Sequence, residues 1–388
     1  MDALQQDIQV SFRFPVFFTT GAFDPANRIL RDLVSTPPDP APADALVVVD
    51  AGVAGAHPDL ASRVAAYASA HADALRLAGP VLVVPGGEAA KDGLDTVNLV
   101  LHAIQEAALC RHSYVIVIGG GAVLDVVGYA AATAHRGVRL IRVPTTVLSQ
   151  DDSAVGVKNG VNLFGKKNYL GTFAAPFAVV NDFSFLPTLE DRDWLGGISE
   201  AIKAALIRDA AFFDEIELAA PRLVARDLDA MSRLVRRSAE LHCAHIARGG
   251  DPFEAGSSRP LDFGHWAAHK LEQVTSHRLR HGEAVAIGLA LDCTYAWQTG
   301  ELPEAAYRRI MALFDALRLP TYAPELSAHL DAPDDPRSVL RGLAEFREHL
   351  GGRLTILLVR GVGLPYEVNE VDTGGMIRSI ELLRSRAS

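Results

Sequence analysis

Gly119, Gly120 and Gly121 stand between an apolar run, Val115 to Ile118, and a second apolar stretch, Ala122 to Ala134. The first reads as a buried strand and the second as a helix. Glycines at a strand end let backbone N–H groups come close to a phosphate, and the helix that follows turns its positive end toward the anion. That is the chemistry of a dinucleotide site. The triplet is not the G-x-G-x-x-G fingerprint, so on its own it reads equally as a tight turn. A further strand-like run, Arg139 to Val143, ends in Pro144-Thr145-Thr146. Between Asp152 and Asn168 the chain then gathers Lys158, Lys166 and Lys167 among glycines. Such a segment can cradle an anion or simply face water.

The elements that must position these residues alternate. Ala45 to Asp50 reads as a strand, Ala61 to Leu77 as a helix, and Val81 to Val84 as a strand running into Pro85-Gly86-Gly87-Glu88-Ala89-Ala90-Lys91. Leu94 to Leu109 reads as a helix, and Ala178 to Asp182 closes the series as a strand. Asp50 can accept hydrogen bonds from a ribose or cap a turn. Glu88 and Lys91 can serve a ligand or form an exposed helix-start pair. Strand and helix in alternation imply a parallel α/β sheet covered on both faces.

After Phe185 the pattern turns helical: Leu189 to Ala247, Leu261 to Val274, His281 to Trp297, Pro303 to Leu317 and a tail from Gly374, with Arg353 to Arg360 as a late strand. Trp194, Leu206, Phe212, Ile216 and Leu234 are its expected core. Residues 1–45 read as peripheral, an antiparallel strand pair at most followed by Pro37-Pro38-Asp39-Pro40. Gly249 to Pro260 and Pro320 to Pro336 read as surface loops. Two domains with a cleft between them is the natural arrangement.

A chain of 388 residues, 49% of them hydrophobic, can build two cores. Its net charge of −10 argues against nucleic acid and against an anionic membrane surface. An anion site must therefore invert the field locally, and Lys158, Lys166, Lys167 and Lys203 could do so. Cys110, Cys243 and Cys293 are spaced neither as a disulfide framework nor as a zinc knuckle. With no basic or apolar leader in MDALQQDIQV and no membrane-length apolar run, a cytoplasmic protein is expected.

Three later motifs join the glycine-rich stretch: Gly197-Ile198-Ser199-Glu200-Ala201-Ile202-Lys203, Gly264-His265 and His281-Gly282-Glu283. In this order, from roughly Asp50 to His281 and beyond, the chain resembles the sugar phosphate cyclases, the superfamily typified by 3-dehydroquinate synthase. The resemblance implies a Rossmann-like, NAD-binding parallel-sheet domain over residues 1–185 and a mostly α-helical, metal- and substrate-binding domain over residues 186–388. It implies a reaction in which NAD⁺ oxidises a hydroxyl of a sugar phosphate, phosphate leaves by β-elimination, the cofactor returns its hydride, and the opened ring closes as a carbocycle by an aldol step.

The resemblance also assigns residues. Glu200, His265 and His281 become metal ligands. Two imidazoles and a carboxylate leave a position open on the ion, with zinc the default and cobalt or another divalent ion compatible. Without the resemblance, each reads more readily as a cap or a satisfied polar residue at a helix start. Asp50, Gly86, Gly87, Glu88, Lys91, Gly120, Gly121, Ala122, Asp125, Thr145, Thr146, Leu148, Asp152, Lys158, Lys167 and Thr188 are implied to meet the cofactor. Lys203, one turn after Glu200, would stabilise a developing oxyanion. Lys158, Asn168 and His269 would hold the leaving phosphate, and Asp152 would meet substrate hydroxyls. Arg136 would reach the site of a neighbouring subunit, which implies a homodimer. His102, His112, His135, His242, His245 and His277 lack such support and read as structural or surface residues.

Three departures concern the substrate. Asp262 stands where dehydroquinate synthases usually have asparagine, Gly250-Asp251-Pro252-Phe253-Glu254 lacks the family lysine, and Phe346 to Gly352 lacks another. An acid in place of a base repels a substrate carboxylate, and Arg259 compensates only in part. The pattern therefore looks closer to the valiolone-type branch, which cyclises heptulose phosphates without a carboxylate. 3-Dehydroquinate synthase itself, a metal-dependent polyol or alcohol dehydrogenase, and a non-catalytic binding member are the competing readings.

Overall fold

A computed structural model describes residues 3–35, 42–251, 253, 260–349 and 352–387. Its centre is a seven-stranded sheet built from β1 (Val16–Thr19), β2 (Ala43–Asp50), β3 (Leu75–Leu77), β4 (Leu82–Val84), β5 (Tyr114–Gly119), β6 (Arg139–Pro144) and β9 (Ala178–Asp182). A two-stranded hairpin, β7 (Lys158–Leu163) and β8 (Lys166–Phe173), leaves the sheet between β6 and β9. The order across the sheet is β1-β9-β6-β5-β2-β3, with β4 also pairing β2, and every pairing within it is parallel. Strand β5, YVIVIG, is buried at every position, as a central strand covered on both faces must be.

The register aligns the functional strand ends. Gly119 pairs with Pro144, and Asp50 with Val84. The glycine triplet, Thr145, Asp50 and Gly86 therefore emerge along one edge of the sheet. The chain leaves β2 toward β3 and β4, then returns to place β5 on the other side of β2. That reversal opens a crevice beyond the carboxyl ends of β2 and β5, where α/β sheets take their ligands. Gly86 is needed there, because a Cβ on it would lie 2.3 Å from Asp50 Oδ1.

Two hydrophobic clusters cover the sheet, one rich in Val115, Val117, Val126 and Val127, the other in Val47, Val49, Tyr67 and Ile116. A third gathers Trp194, Leu206, Phe212, Ile216 and Leu234 with the later helices, as the sequence indicates. The helices Ile198–Arg208, Leu228–Arg248, His265–Val274 and His281–Gln298 build the opposite wall of the cleft.

Several expectations need correction. The helix expected over Ala61 to Leu77 runs from Leu60 to Ala70, and its last residues form β3. The described residues of the amino-terminal region make no antiparallel pair: β1 adds parallel to β9 at the sheet edge. The lysine segment forms the β7–β8 hairpin, whose β8 residues are all exposed or half-buried. The late strand is β10 (Ile356–Gly361), and it pairs with β11 (Leu364–Val368), which the sequence reading missed along with the helix Arg341–His349. Pro320 to Pro336 lacks α-helix or strand but buries Thr321, Ala323 and Leu326. Pro37 to Pro40 lies outside the described residues, as does most of Gly249 to Pro260.

One buried side chain ties the hairpin's approach to the sheet. Arg142 of β6 is 1% exposed. It donates to the carbonyls of Ala154 at 2.9 Å, Gly156 at 2.7 Å and Lys158 at 3.1 Å, and to Asn159 Oδ1 at 2.7 Å. Burial brings its guanidinium down to about 10, so it stays charged at neutral pH. Arg142→Met would strand these acceptors, and urea unfolding should show a loss of ~2–4 kcal/mol. Unchanged stability would contradict this role.

Candidate functional site

The crevice opens into a cleft of about 1210 Å³ lined from both halves of the chain. Asp50, Gly86, Gly87, Glu88, Lys91, Gly120, Gly121, Ala122, Asp125, Thr145, Thr146, Leu148, Asp152, Lys158, Lys167, Asn168, Thr188, Lys203, His265, His269 and His281 all line it. Glu200 sits just behind this wall, with a side chain 0% exposed. Arg136 is exposed at the far end of the helix Gly121–Thr133 and does not line this cleft. Lys166 points away as well, 3.9 Å from Glu348.

The three expected metal ligands converge. One donor atom from each of Glu200, His265 and His281 lies within 4.8 Å of the others. Both histidines are the first residue of their helices. Close helix approach makes this possible: a Cβ on Gly288 would fall 2.0 Å from Gly264 O, and one on Gly282 would fall 2.2 Å from Gly196 O. These contacts press the helix His281–Gln298 against the chain entering both other ligand-bearing helices.

The electrostatics of this cluster fit a cation. Both Glu200 carboxylate oxygens are buried without a hydrogen-bond partner among the described residues. His281 Nε2 stands 3.3 Å and His265 Nε2 3.5 Å from Glu200 Oε1, and Lys203 Nζ pairs with Oε2. Nδ1 of each imidazole is occupied elsewhere, by Phe263 O at 3.0 Å for His265 and Glu272 Oε2 at 3.0 Å for His281. Both Nε2 atoms thus face Glu200, the outer-partner arrangement that orients imidazole ligands. Residues and group fit: these three would hold a divalent ion with a position open.

Glu272 was not singled out by sequence reasoning. It is 2% exposed and joins His281 to Lys167, whose Nζ donates to Glu272 Oε1 at 2.7 Å and lies 3.8 Å from Glu88. Burial opposes its charge, but Lys167 and His281 outweigh burial and hold Glu272 well below the usual carboxylate range. A signal was available, because His265, His269 and Glu272 are spaced i, i+4, i+7 on one helix face.

The other basic residues are also matched. Lys91 is buried, not part of an exposed pair, and donates to Asp125 Oδ2 at 2.7 Å and Asn168 Oδ1 at 2.5 Å. Asp50 both lines the cleft and caps the next helix through Gly52 N at 2.7 Å. Burial opposes the Lys203 charge, but Asp152 and Glu200 raise its ammonium above the ordinary value. Asp152, pushed up by burial, is brought down to about 2 chiefly by Lys203 and His242. Burial, with Lys167 and His265, holds His269 well below the usual imidazole range, so it is neutral.

His242 corrects the expectation of a structural or surface histidine: it lines the cleft, with Nδ1 2.8 Å from Asp152 Oδ1. His245 and His277 line it too, while His102, His112 and His135 are exposed. His57, also missed, reaches Thr188 Oγ1 at 3.0 Å. Asp251, Asp262 and Phe346 line the cleft, while Glu254 and Arg259 fall outside the described residues.

A glycine-edged crevice facing two imidazoles and a buried carboxylate, with lysines between, is the architecture of the sugar phosphate cyclases. Residues 81–196 match the model of the 3-dehydroquinate synthase amino-terminal region, and residues 197–333 match that of its carboxy-terminal region. The chain belongs to the 3-dehydroquinate synthase family. A protein of Cereibacter sphaeroides (strain ATCC 17025) named 3-dehydroquinate synthase is 38% identical over 336 residues, 86% of this chain and 87% of that one. The solved structure of ValA, a 2-epi-5-epi-valiolone synthase from Streptomyces hygroscopicus subsp. jinggangensis with NAD⁺ and Zn²⁺ bound, superposes with a TM-score of 0.86 at 30% identity. That match covers 99% of this chain and 100% of ValA. A 2-deoxy-scyllo-inosose synthase shares the fold, with a TM-score of 0.75 at 22% identity over 95% of this chain and 96% of that one. Among the described residues, no helix is long and apolar enough to cross a membrane.

Metal binding should release a proton. Burial alone would depress the His281 imidazole, but Glu272 and Glu200 outweigh it and push it up to about 9. Below that pH an ion must displace the proton, so apparent zinc affinity should climb about tenfold per pH unit toward 9. Glu272→Gln should weaken zinc about 10–100-fold and flatten this slope. Chelator competition at several pH values checks both, and an affinity flat from pH 6 to 8 would contradict them.

Proposed function

We propose that the protein is a carbon–oxygen lyase that cyclises a heptulose phosphate lacking a carboxylate, expelling its phosphate. The buried Glu200 carboxylate, met by Lys203 and faced by Nε2 of both His265 and His281, is the observation that carries the cyclase reading. ValA, similar over its whole length and solved with NAD⁺ and Zn²⁺, supports the same cofactors here. Co²⁺, which accompanies NAD⁺ in the 2-deoxy-scyllo-inosose synthase complex, is compatible with the same donors. When bound, the dinucleotide supplies reversible hydride transfer and the cation supplies a Lewis acid. Glu200, His265 and His281 would hold the cation. Asp50, Gly86, Gly120, Gly121, Thr145 and Thr146 edge the space for the dinucleotide in the half spanning 1–185.

The chain's own groups cover the remaining demands. Lys203 keeps its ammonium charged and stabilises a developing oxyanion. Lys158, Asn168 and neutral His269 face the phosphate, and His269 can accept a proton there. Lys91 holds Asn168 in place. Arg136, exposed and off its own cleft, suits a role in the site of a second copy, so the working unit is a homodimer.

Substrate choice rests on Asp262. It lines the cleft close enough to Lys203 to strengthen that ammonium, and Asp251 lines the same space. A substrate carboxylate would meet these acids, and the nearby cations are already matched: Lys203 by Asp152 and Glu200, Arg192 by Glu283. A second reading, 3-dehydroquinate synthase itself, is favoured by the names of the curated relatives. The dehydrogenases that resemble this chain do so in fold alone, at 14% identity.

Phosphate release with NAD⁺ and zinc separates the readings. Release from sedoheptulose 7-phosphate without net NADH is expected. Release only from a carboxylated heptulosonate 7-phosphate would establish the second reading, and accumulating NADH without phosphate would establish a dehydrogenase. Glu200→Ala should lose metal and activity together. Asp262→Asn should raise kcat/KM for the heptulosonate roughly tenfold.

A further inference from the structure

His242 has no part in the assignments above, yet it makes a short bond to a cleft carboxylate. It sits on the long helix Leu228–Arg248 and is 11% exposed. Its Nδ1 lies 2.8 Å from Asp152 Oδ1, and the same oxygen is 3.5 Å from Lys203 Nζ. Both contacts fall on Oδ1, and the Asp152 side chain, 22% exposed, lines the cleft. The ring is wedged against the segment before β7, since a Cβ on Gly156 would stand 3.5 Å from Nε2. Gly156, Val157 and Lys158 of that segment line the cleft.

A carboxylate facing only a distant ammonium is free to turn and offer both oxygens to it. The short imidazole bond removes that freedom. It draws the N–H of His242 to Nδ1 and commits Oδ1 to the protein. We propose that His242 is a positioning residue for substrate, fixing Asp152 so that Oδ2 is presented to the cleft as acceptor for a hydroxyl of the uncharged polyol part of the sugar phosphate. An acceptor-only group in this place suits a hydroxyl donor and rejects a carboxylate. The inference rests on the cyclase reading and deepens it, because it names what selects a polyol.

Steady-state kinetics of the zinc- and NAD⁺-loaded protein on sedoheptulose 7-phosphate test this with three variants. His242→Leu removes the donor. His242→Gln moves an amide nitrogen to the reach of Nε2. His242→Asn leaves one where Nδ1 stood. KM should rise about 10–100-fold in the Leu and Gln variants, with kcat within about threefold and zinc content unchanged. The Asn variant should stay within about threefold of the parent KM. An unchanged KM in His242→Leu or His242→Gln, a loss confined to kcat, or an Asn variant as weak as Leu would overturn the proposal. A parent protein that forms no phosphate from this sugar overturns the reading of a heptulose phosphate substrate, and this inference with it.

Discussion

The site depends on one fully buried carboxylate, that of Glu200. Glu200 is withdrawn from water on a helix whose residues Ile198 to Ile207 are all buried. A bare buried carboxylate is costly unless charge is brought to it. The fold brings Lys203 from the same helix and the two imidazoles His265 and His281 from others. Burial opposes the Glu200 charge, and Lys203 with His265 and His281 overcomes it, holding the group well below the usual carboxylate range. A divalent ion among these donors would complete the compensation.

From this point the cleft is wired outward. Glu272 orients His281 and takes the ammonium of Lys167, a residue of β8. Asp152 takes Lys203 and His242. The hairpin is anchored in turn by Lys91 through Asn168 and, at its approach, by Arg142. Lys91, Lys167 and Lys203 are therefore fixed groups, each paired with an acid on another element. Preorganised charge of this kind costs no reorganisation when charge develops on a substrate.

Much of this was legible in the sequence. Continuous apolar runs such as Ala45 to Val49 and Val115 to Ile118 announced the parallel sheet, and Gly119 to Gly121 with Thr145 and Thr146 marked its ligand edge. Glu200, His265 and His281 needed the resemblance, because their spacing is set by three helices packing together and follows no local period. The hairpin was hidden by composition: β8 carries Lys166, Lys167, Asn168 and Gly171 where a strand usually carries apolar alternation. Strand β11, with Pro365 and exposed Leu364, was hidden for the same reason. His242 and Glu272 acquire their roles only from partners distant in sequence. Each nevertheless lies beside other polar residues at helical spacing, His242 with His245, and Glu272 with His265 and His269.

The most direct measurement is anomalous scattering at the zinc edge from crystals of the protein grown with zinc and NAD⁺. The account predicts a single strong peak bounded by Glu200, His265 Nε2 and His281 Nε2. No peak there, or one held by His269 and Glu272 away from Glu200, would contradict it.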